Sequence, residues 1–454
     1  MNATARMHVP PPPPQPWRPV QYLGSKLRSL DLIAGALGDL DDRTGRVWEP
    51  FTGSSVVAQR LAAEGHRVWA TDALASSAAF AAAMLGVNRA SSSMSLTKAA
   101  DEVSALSAAP SAWAARWVER EAEALASRDG RALLAGGADL PQRWRETPSD
   151  QELRGFFRDV DDAASRAEVH YDGSMSTTYA GTYFGIKQAL ALEQLRSRID
   201  LVAPDNNSAS QWVRVGLLTA LSSAASTAVF SAGKHFAQPH RVRPGKDLTF
   251  HAQRVLRDRS VNVVEVFRLA AKEIEERAAD GEVQHEAGLR LVEDVSASDL
   301  IERGITAVYA DPPYTAQQYS RFYHVLEVLT TGVPVRLQRV KGQVTSGLYP
   351  DNKYLSPYSS RKQAPAAFRH LLTTARDADA HMILSYSDTR GVATGNARVV
   401  SLASLVEWVK AVYGEDAVTV QELDLRYRQF NSGSRGVTDR RDPEFIVTGR
   451  AHAG

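Results

Sequence analysis

The sequence predicts an α/β protein: an open, doubly wound sheet interrupted by one large, mostly helical insertion. Three observations predict it. Short apolar runs alternate with helical stretches from Val47 onward. The runs end in acidic residues or in a glycine turn, as strands feeding a ligand crevice do. The rhythm stops near residue 88 and resumes near 289.

The elements follow in chain order. Residues 1–19 hold the run Pro10 to Pro14, then Pro16 and Pro19, and read as a flexible, polyproline-prone tail, a plain leader rather than a partner-docking segment. Residues 20–87 form the first part of the core. There, 47–51 is a short buried strand, 52–55 a turn, 56–64 a helix, and 66–71 a second strand ending at Asp72. A right-handed crossover makes the two strands parallel. Residues 88–288 are rich in Ala and Ser, with helices expected over 112–126, capped by Ser111, and over 261–279. The second part of the core, 289–454, carries strands at 289–292, 307–310, 381–386 and 444–447, with helices around 366–375 and 402–412.

A chain of 454 residues is long enough for two ordinary domains, and 44% hydrophobic with 23% charged residues is a globular balance. No run of about eighteen apolar residues exists, so no membrane span is expected. The start lacks a charged head followed by an apolar stretch, so a cytoplasmic location is expected. The formal net charge of +1 says little, because a nucleic-acid enzyme needs only a local basic face. Zero cysteines say more: disulfides, thiolate zinc sites and Cys nucleophiles are all excluded. Methylation of a pyrimidine ring carbon, which proceeds through such a thiolate, is therefore closed, whereas an acceptor that is already nucleophilic remains open.

The strongest chemical signal is Asp311-Pro312-Pro313-Tyr314, directly after the strand at 307–310. Asp311 and Pro312 both precede a proline, which makes the segment a stiff extended arm without N–H donors at Pro312 and Pro313. An exocyclic amine suits it. The Asp311 carboxylate and the Pro312 carbonyl can each accept one hydrogen bond and stabilise the charge developing on the attacking nitrogen. Tyr314 offers a flat face to an unstacked base.

A second signal is Glu49-Pro50-Phe51-Thr52-Gly53-Ser54-Ser55, with Asp72 nineteen positions after Gly53. Gly permits close backbone approach, and an acid at the end of the second strand can accept from ribose hydroxyls. The three-glycine dinucleotide fingerprint is absent, which fits a nucleoside cofactor without pyrophosphate and disfavours a dehydrogenase. Third, Tyr22, Gly24 and Lys26 before the first helix could wrap a charged cofactor end.

Together these segments resemble the Dam-like, α-type family of adenine-N6 DNA methyltransferases. That family shows Tyr-x-Gly-x-Lys, Glu-Pro-Phe-x-Gly-Ser and Asp-Pro-Pro-Tyr in this order. The resemblance implies a Rossmann-like methyltransferase sheet and S-adenosylmethionine held by Tyr22, Lys26, Glu49, Phe51, Gly53, Asp72, Asp294 and Asp311, with Glu293 an equal candidate for the place of Asp294. The resemblance also implies catalysis by Asp311, Pro312, Pro313 and Tyr314, and a target-recognition region in the insertion. It further implies double-stranded DNA as partner, base flipping and direct methyl transfer, with no metal. A cognate nuclease, as in restriction-modification, or another defence-system partner is compatible with it. The same arm would also seat the amino group of cytosine or an adenine in RNA, and a non-catalytic nucleic-acid-binding relative would be expected to have lost the acid or the aromatic. The chain departs from the family with Gly-Ser-Ser for Gly-Ser-Gly in the first loop and with Thr71 where an Asn is usual.

Candidate nucleic-acid contacts are Lys234, His235, Gln238, Arg241 and Arg243 in one loop of the insertion, with Arg336 and Lys341 in a basic, loop-rich stretch that runs on to Arg361 and Lys362. Residues 179–184 (Tyr-Ala-Gly-Thr-Tyr-Phe) are expected to open a helix and bury their aromatics. His324 resembles a general base, but its spacing to Ser320 and Glu327 predicts a packed helix with internal hydrogen bonds instead.

Overall fold

Helix α1 (Leu30–Leu40) places Leu30, Ile33, Leu37 and Leu40 at helical spacing and buries all four. Strand β1 (Arg46–Glu49), helix α2 (Val56–Ala63), strand β2 (Arg67–Asp72) and helix α3 (Ala75–Met84) follow. β1 and β2 pair in parallel, Val47 opposite Val68, as the βαβ pattern predicts. This computed structural model describes residues 15–40, 45–105, 112–145, 147–240, 249–388, 397–423 and 443–451. The proline run at 10–14 and the expected cap Ser111 lie outside the described residues. The end of the expected tail is packed: Trp17 donates its N–H to Gln59 Oε1 and accepts from Gln59 Nε2, and Val20 is buried.

The insertion is helical. It contains α4 (Leu96–Ala105), α5 (Ala112–Ala126), α6 (Gly130–Asp139), α7 (Gln151–Arg166), α8 (Ile186–Val202), α9 (Gln211–Ala228), α10 (Thr249–Arg259) and α11 (Val263–Arg277). α9 is buried on nearly every side, as an Ala- and Leu-rich helix without an amphipathic face must be. Tyr179, Tyr183 and Phe184 are buried ahead of α8 rather than within a helix; Gly181 at φ +72° turns the chain there.

The second half of the core runs β3 (Glu286–Leu289), α12 (Ala297–Glu302), β4 (Ile305–Ala310), α13 (Ser320–Thr331), the hairpin β5 (Arg339–Val340) and β6 (Gln343–Val344), α14 (Ala364–Asp377), β7 (His381–Ser387), α15 (Leu402–Tyr413), β8 (Val418–Leu423) and β9 (Glu444–Gly449). β3 begins and ends earlier than the expected 289–292, because its pairing with β2 stops at Asp72 opposite Leu289. β8 was not expected. It is an edge strand with only Leu423 buried, so it shows no apolar alternation.

Among the described residues, seven of the strands form one sheet in the order β3-β2-β1-β4-β7-β9-β8, with β9 antiparallel to both neighbours. Alternate residues serve the two faces. Val47, Val68, Ala307 and Ile383 pack with α1 and α2, whereas Trp48, Trp69, Val308 and Met382 pack with α12, α14 and α15. The insertion shares its apolar core with Phe80 and Met84 of α3 and Tyr323, Leu326 and Leu329 of α13, so it is packed directly onto the sheet's helices. Strand order reverses between β1 and β4, and the crevice beyond their C-terminal ends is where such sheets bind ligands. Among the described residues, no helix is long and apolar enough to cross a membrane.

Candidate active site at the strand ends

One pocket opens in that crevice. It is lined by residues 22–26, Glu49 to Ser54, Asp72 to Leu74, Asp311 and Pro313, with Arg290, Val292, Gln318, Tyr319, Tyr354 and Ser356 at its margins. The three sequence segments, the last of them more than two hundred residues beyond the other two, thus meet at one place.

The turn after β1 is shaped by Gly53. Its φ is +51°, and a Cβ there would lie 2.8 Å from the Tyr22 ring, so a larger residue would push the aromatic out. Asp72 holds the same turn. Its Oδ2 accepts from the Gly53 N–H at 2.9 Å and its Oδ1 from the Leu74 N–H at 2.9 Å. Glu327 of α13 accepts from the Ala75 and Ser76 N–H groups at the start of α3, so an acid from beyond β4 caps the helix that follows β2.

Tyr22 stacks on Tyr323 with ring centroids 4.5 Å apart, and the Tyr323 hydroxyl accepts from the Leu23 N–H at 2.7 Å. Lys26 is 5% exposed. Its ammonium pairs with Asp311 Oδ1 at 3.1 Å and Glu444 Oε1 at 3.6 Å. Lys26 therefore reaches the Asp311-Pro312-Pro313-Tyr314 arm itself, and Glu444, at the start of β9, completes a cluster that no local pattern announced.

The electrostatics are dominated by carboxylates. Burial pushes Glu49 up to about 8, although the Thr52 hydroxyl donates to it at 3.2 Å; Asp311 and Asp72 push it further. Burial likewise raises Asp72 to about 7 against its backbone hydrogen bonds. It raises Asp311 to about 6, with Lys26 holding it down and Glu444 opposing. Glu49, Asp72 and Asp311 line the pocket together with Lys26 and Arg290, and the three raised acids can ionise to receive a positive charge.

The arm is braced from below. The Tyr314 carbonyl accepts from the Val399 N–H at 3.1 Å, and the Arg398 guanidinium lies 4.7 Å from the Tyr314 ring centroid. Arg398 is itself anchored on Ser387 at the end of β7. Tyr314 thus stands beside the pocket with one side of its ring backed by a cation. Phe51 packs edge-on against Tyr358. Asp294 is exposed and does not line the pocket, whereas Arg290 and Val292 do. Glu293 accepts from the pocket-lining Tyr354 hydroxyl at 3.1 Å, which puts it closer to the site than Asp294.

In the expected nucleic-acid loop, Lys234 and His235 are engaged within the fold. Lys234 donates to the Thr227 and Val229 carbonyls at the end of α9 and pairs with buried Asp258 at 3.0 Å, so its charge is spent inside the fold. His235 packs edge-on against Phe322, and Gln238 is exposed. Arg241 and Arg243 lie outside the described residues. Arg336 pairs with Asp351 at 2.5 Å, while Lys341 sits exposed at the tip of the β5–β6 hairpin.

His324 is no general base. Its Nε2 lies 3.1 Å from the Phe236 carbonyl, which can only accept, so Nδ1 accepts from the Tyr179 hydroxyl at 3.2 Å. Burial lowers it to about 4 and keeps it neutral. The partners are on other elements; the hydrogen bonds expected within the helix are replaced by bonds that dock α13 onto the insertion. No protein-family model matches this chain, and no curated protein sequence matches it significantly.

Proposed function

We propose that this chain is an S-adenosylmethionine-dependent methyltransferase acting on the N6 amino group of adenine in DNA. One observation carries the reading: the Asp311-Pro312-Pro313-Tyr314 arm meets a carboxylate-lined pocket at the switch point of the sheet. The antiparallel β9 departs from the order of dinucleotide-binding sheets.

The donor set fits the cofactor. Glu49 is a buried counter-ion for a cationic group, Gly53 allows close approach, and Asp72 faces the pocket as a ribose acceptor. S-adenosylmethionine supplies an electrophilic methyl group. Every other requirement falls on the protein. The Asp311 carboxylate and Pro312 carbonyl accept hydrogen bonds from the amine, orient its lone pair and stabilise its growing positive charge. Lys26 keeps Asp311 ionised, and Asp311 can take up the proton that the methylated nitrogen sheds. Tyr314, backed by Arg398, gives the extruded base a fixed surface.

The test is methylation-sensitive long-read sequencing of DNA from a host expressing the protein, beside Asp311→Asn. Adenine modification at one sequence motif, absent with the variant, is expected. Unmodified DNA from the wild-type host would remove the reading, and modified cytosine would change its target.

A further inference from the structure

Lys26 is a buried cation with two counter-ions, and the reaction needs one of them. Its ammonium lies 3.1 Å from Asp311 Oδ1 and 3.6 Å from Glu444 Oε1. Among the described residues no other carboxylate pairs with it. Lys26 and Glu444 are both buried, so water screens neither charge. The two acids are placed differently. Asp311 lines the pocket, whereas Glu444 does not; it reaches Lys26 from the start of β9, opposite Ser387 of β7 and Leu423 of β8.

Charge moves during the proposed transfer. The amine nitrogen bonds the methyl carbon as the carbon–sulfur bond breaks, and the positive charge passes from sulfur to nitrogen. Asp311 then faces two cations, the new ammonium and Lys26, which repel each other across a single carboxylate. Once Asp311 takes up the proton that the nitrogen sheds, it is neutral and Lys26 has lost that counter-ion. A buried ammonium without a partner is strongly disfavoured, so a second carboxylate is needed to hold it. Glu444 is the one within reach. Tyr309 and Tyr314, the other titratable groups facing Lys26, cannot replace it, because burial raises both phenols above their ordinary value and keeps them neutral.

We propose that Glu444 is a positioning residue that frees Asp311, taking over Lys26 as positive charge grows on the acceptor nitrogen. The inference rests on the methyltransferase reading. Glu444 touches no reacting atom and acts through Lys26.

The test is single-turnover methylation of a duplex carrying the motif returned by methylation mapping, with Glu444→Gln, Lys26→Met and the double variant. Glu444→Gln is expected to react about tenfold more slowly than wild type, because Lys26 stays on Asp311. Adding it to Lys26→Met should change the rate by less than about twofold, since the cation that Glu444 receives is gone. Glu444→Asp should recover most of the lost rate. In Glu444→Gln, S-adenosylmethionine affinity by calorimetry should match wild type. So should the fluorescence of 2-aminopurine at the target position, which reports extrusion, because both steps precede the growth of charge. Equal slowing in both backgrounds, or a matching loss of cofactor binding or extrusion, would make Glu444 a structural residue and overturn the proposal, as would a wild-type rate. A wild-type protein that methylates no DNA would remove the parent reading, and this proposal with it, a result distinct from the others.

Discussion

Cofactor binding should release protons. At pH 7 the empty pocket holds Glu49 at about 8 and Asp72 at about 7, so the first is mostly protonated and the second half so. Adding the small share of Asp311, at about 6, the three acids carry about 1.5 protons at pH 7. A cationic ligand seated among them favours their charged forms and should expel most of that. Titration calorimetry of S-adenosylmethionine in buffers of different ionisation enthalpy reads the number directly. A release of about one to one and a half protons is expected at pH 7, falling to about a tenth at pH 9, where the acids are already ionised. Glu49→Gln should cut the pH 7 release to about half a proton and weaken binding. A heat independent of buffer at pH 7, or proton uptake, would refute the view that these carboxylates receive the cofactor's positive charge.

Other outcomes follow from the same geometry. Asp311→Asn should lower the single-turnover rate by about a hundred- to a thousandfold, the loss expected for one preorganised electrostatic group, while calorimetry still detects cofactor binding. Lys234→Ala should cost about 1–3 kcal/mol of stability in a denaturant titration, since carbonyls at the end of α9 lose their donor. It should leave the salt dependence of DNA binding alone; a slope reduced by about 0.9 would mean that Lys234 holds a phosphate after all. Stability should also fall as pH rises from about 6.5 to about 8. Folding raises Glu49 to about 8 and Asp72 to about 7, so through neutrality the native chain keeps protons that the unfolded one has lost, whereas at lower pH His240, His285 and His324, lowered to about 4 by burial, act in the opposite sense. Chemical denaturation at several pH values checks the sign, and a rise in stability through neutrality would contradict it.

The sequence by itself determined the core strands and the residues at their ends. Each strand around the crevice is buried on both faces, so 47–51, 66–71, 307–310 and 381–386 stand out as apolar runs whatever surrounds them. The turn at Gly53 and the stiffness of Asp311-Pro312-Pro313 are local backbone properties, legible from a few residues. The edge strand β8 was missed and β3 was expected three residues too late, because half-exposed strands carry no such run. Tertiary structure alone decided where the charges went. Lys26, expected at the cofactor, lines the pocket and also pairs with Asp311 and Glu444; Lys234, expected at nucleic acid, is held by Asp258. Arg398 reaches Tyr314 across a stretch of chain with no pattern to mark it. The physical reason is that hydropathy and backbone preference act between near neighbours. A buried charge instead answers to whichever group the sheet order brings opposite it, from anywhere in the chain.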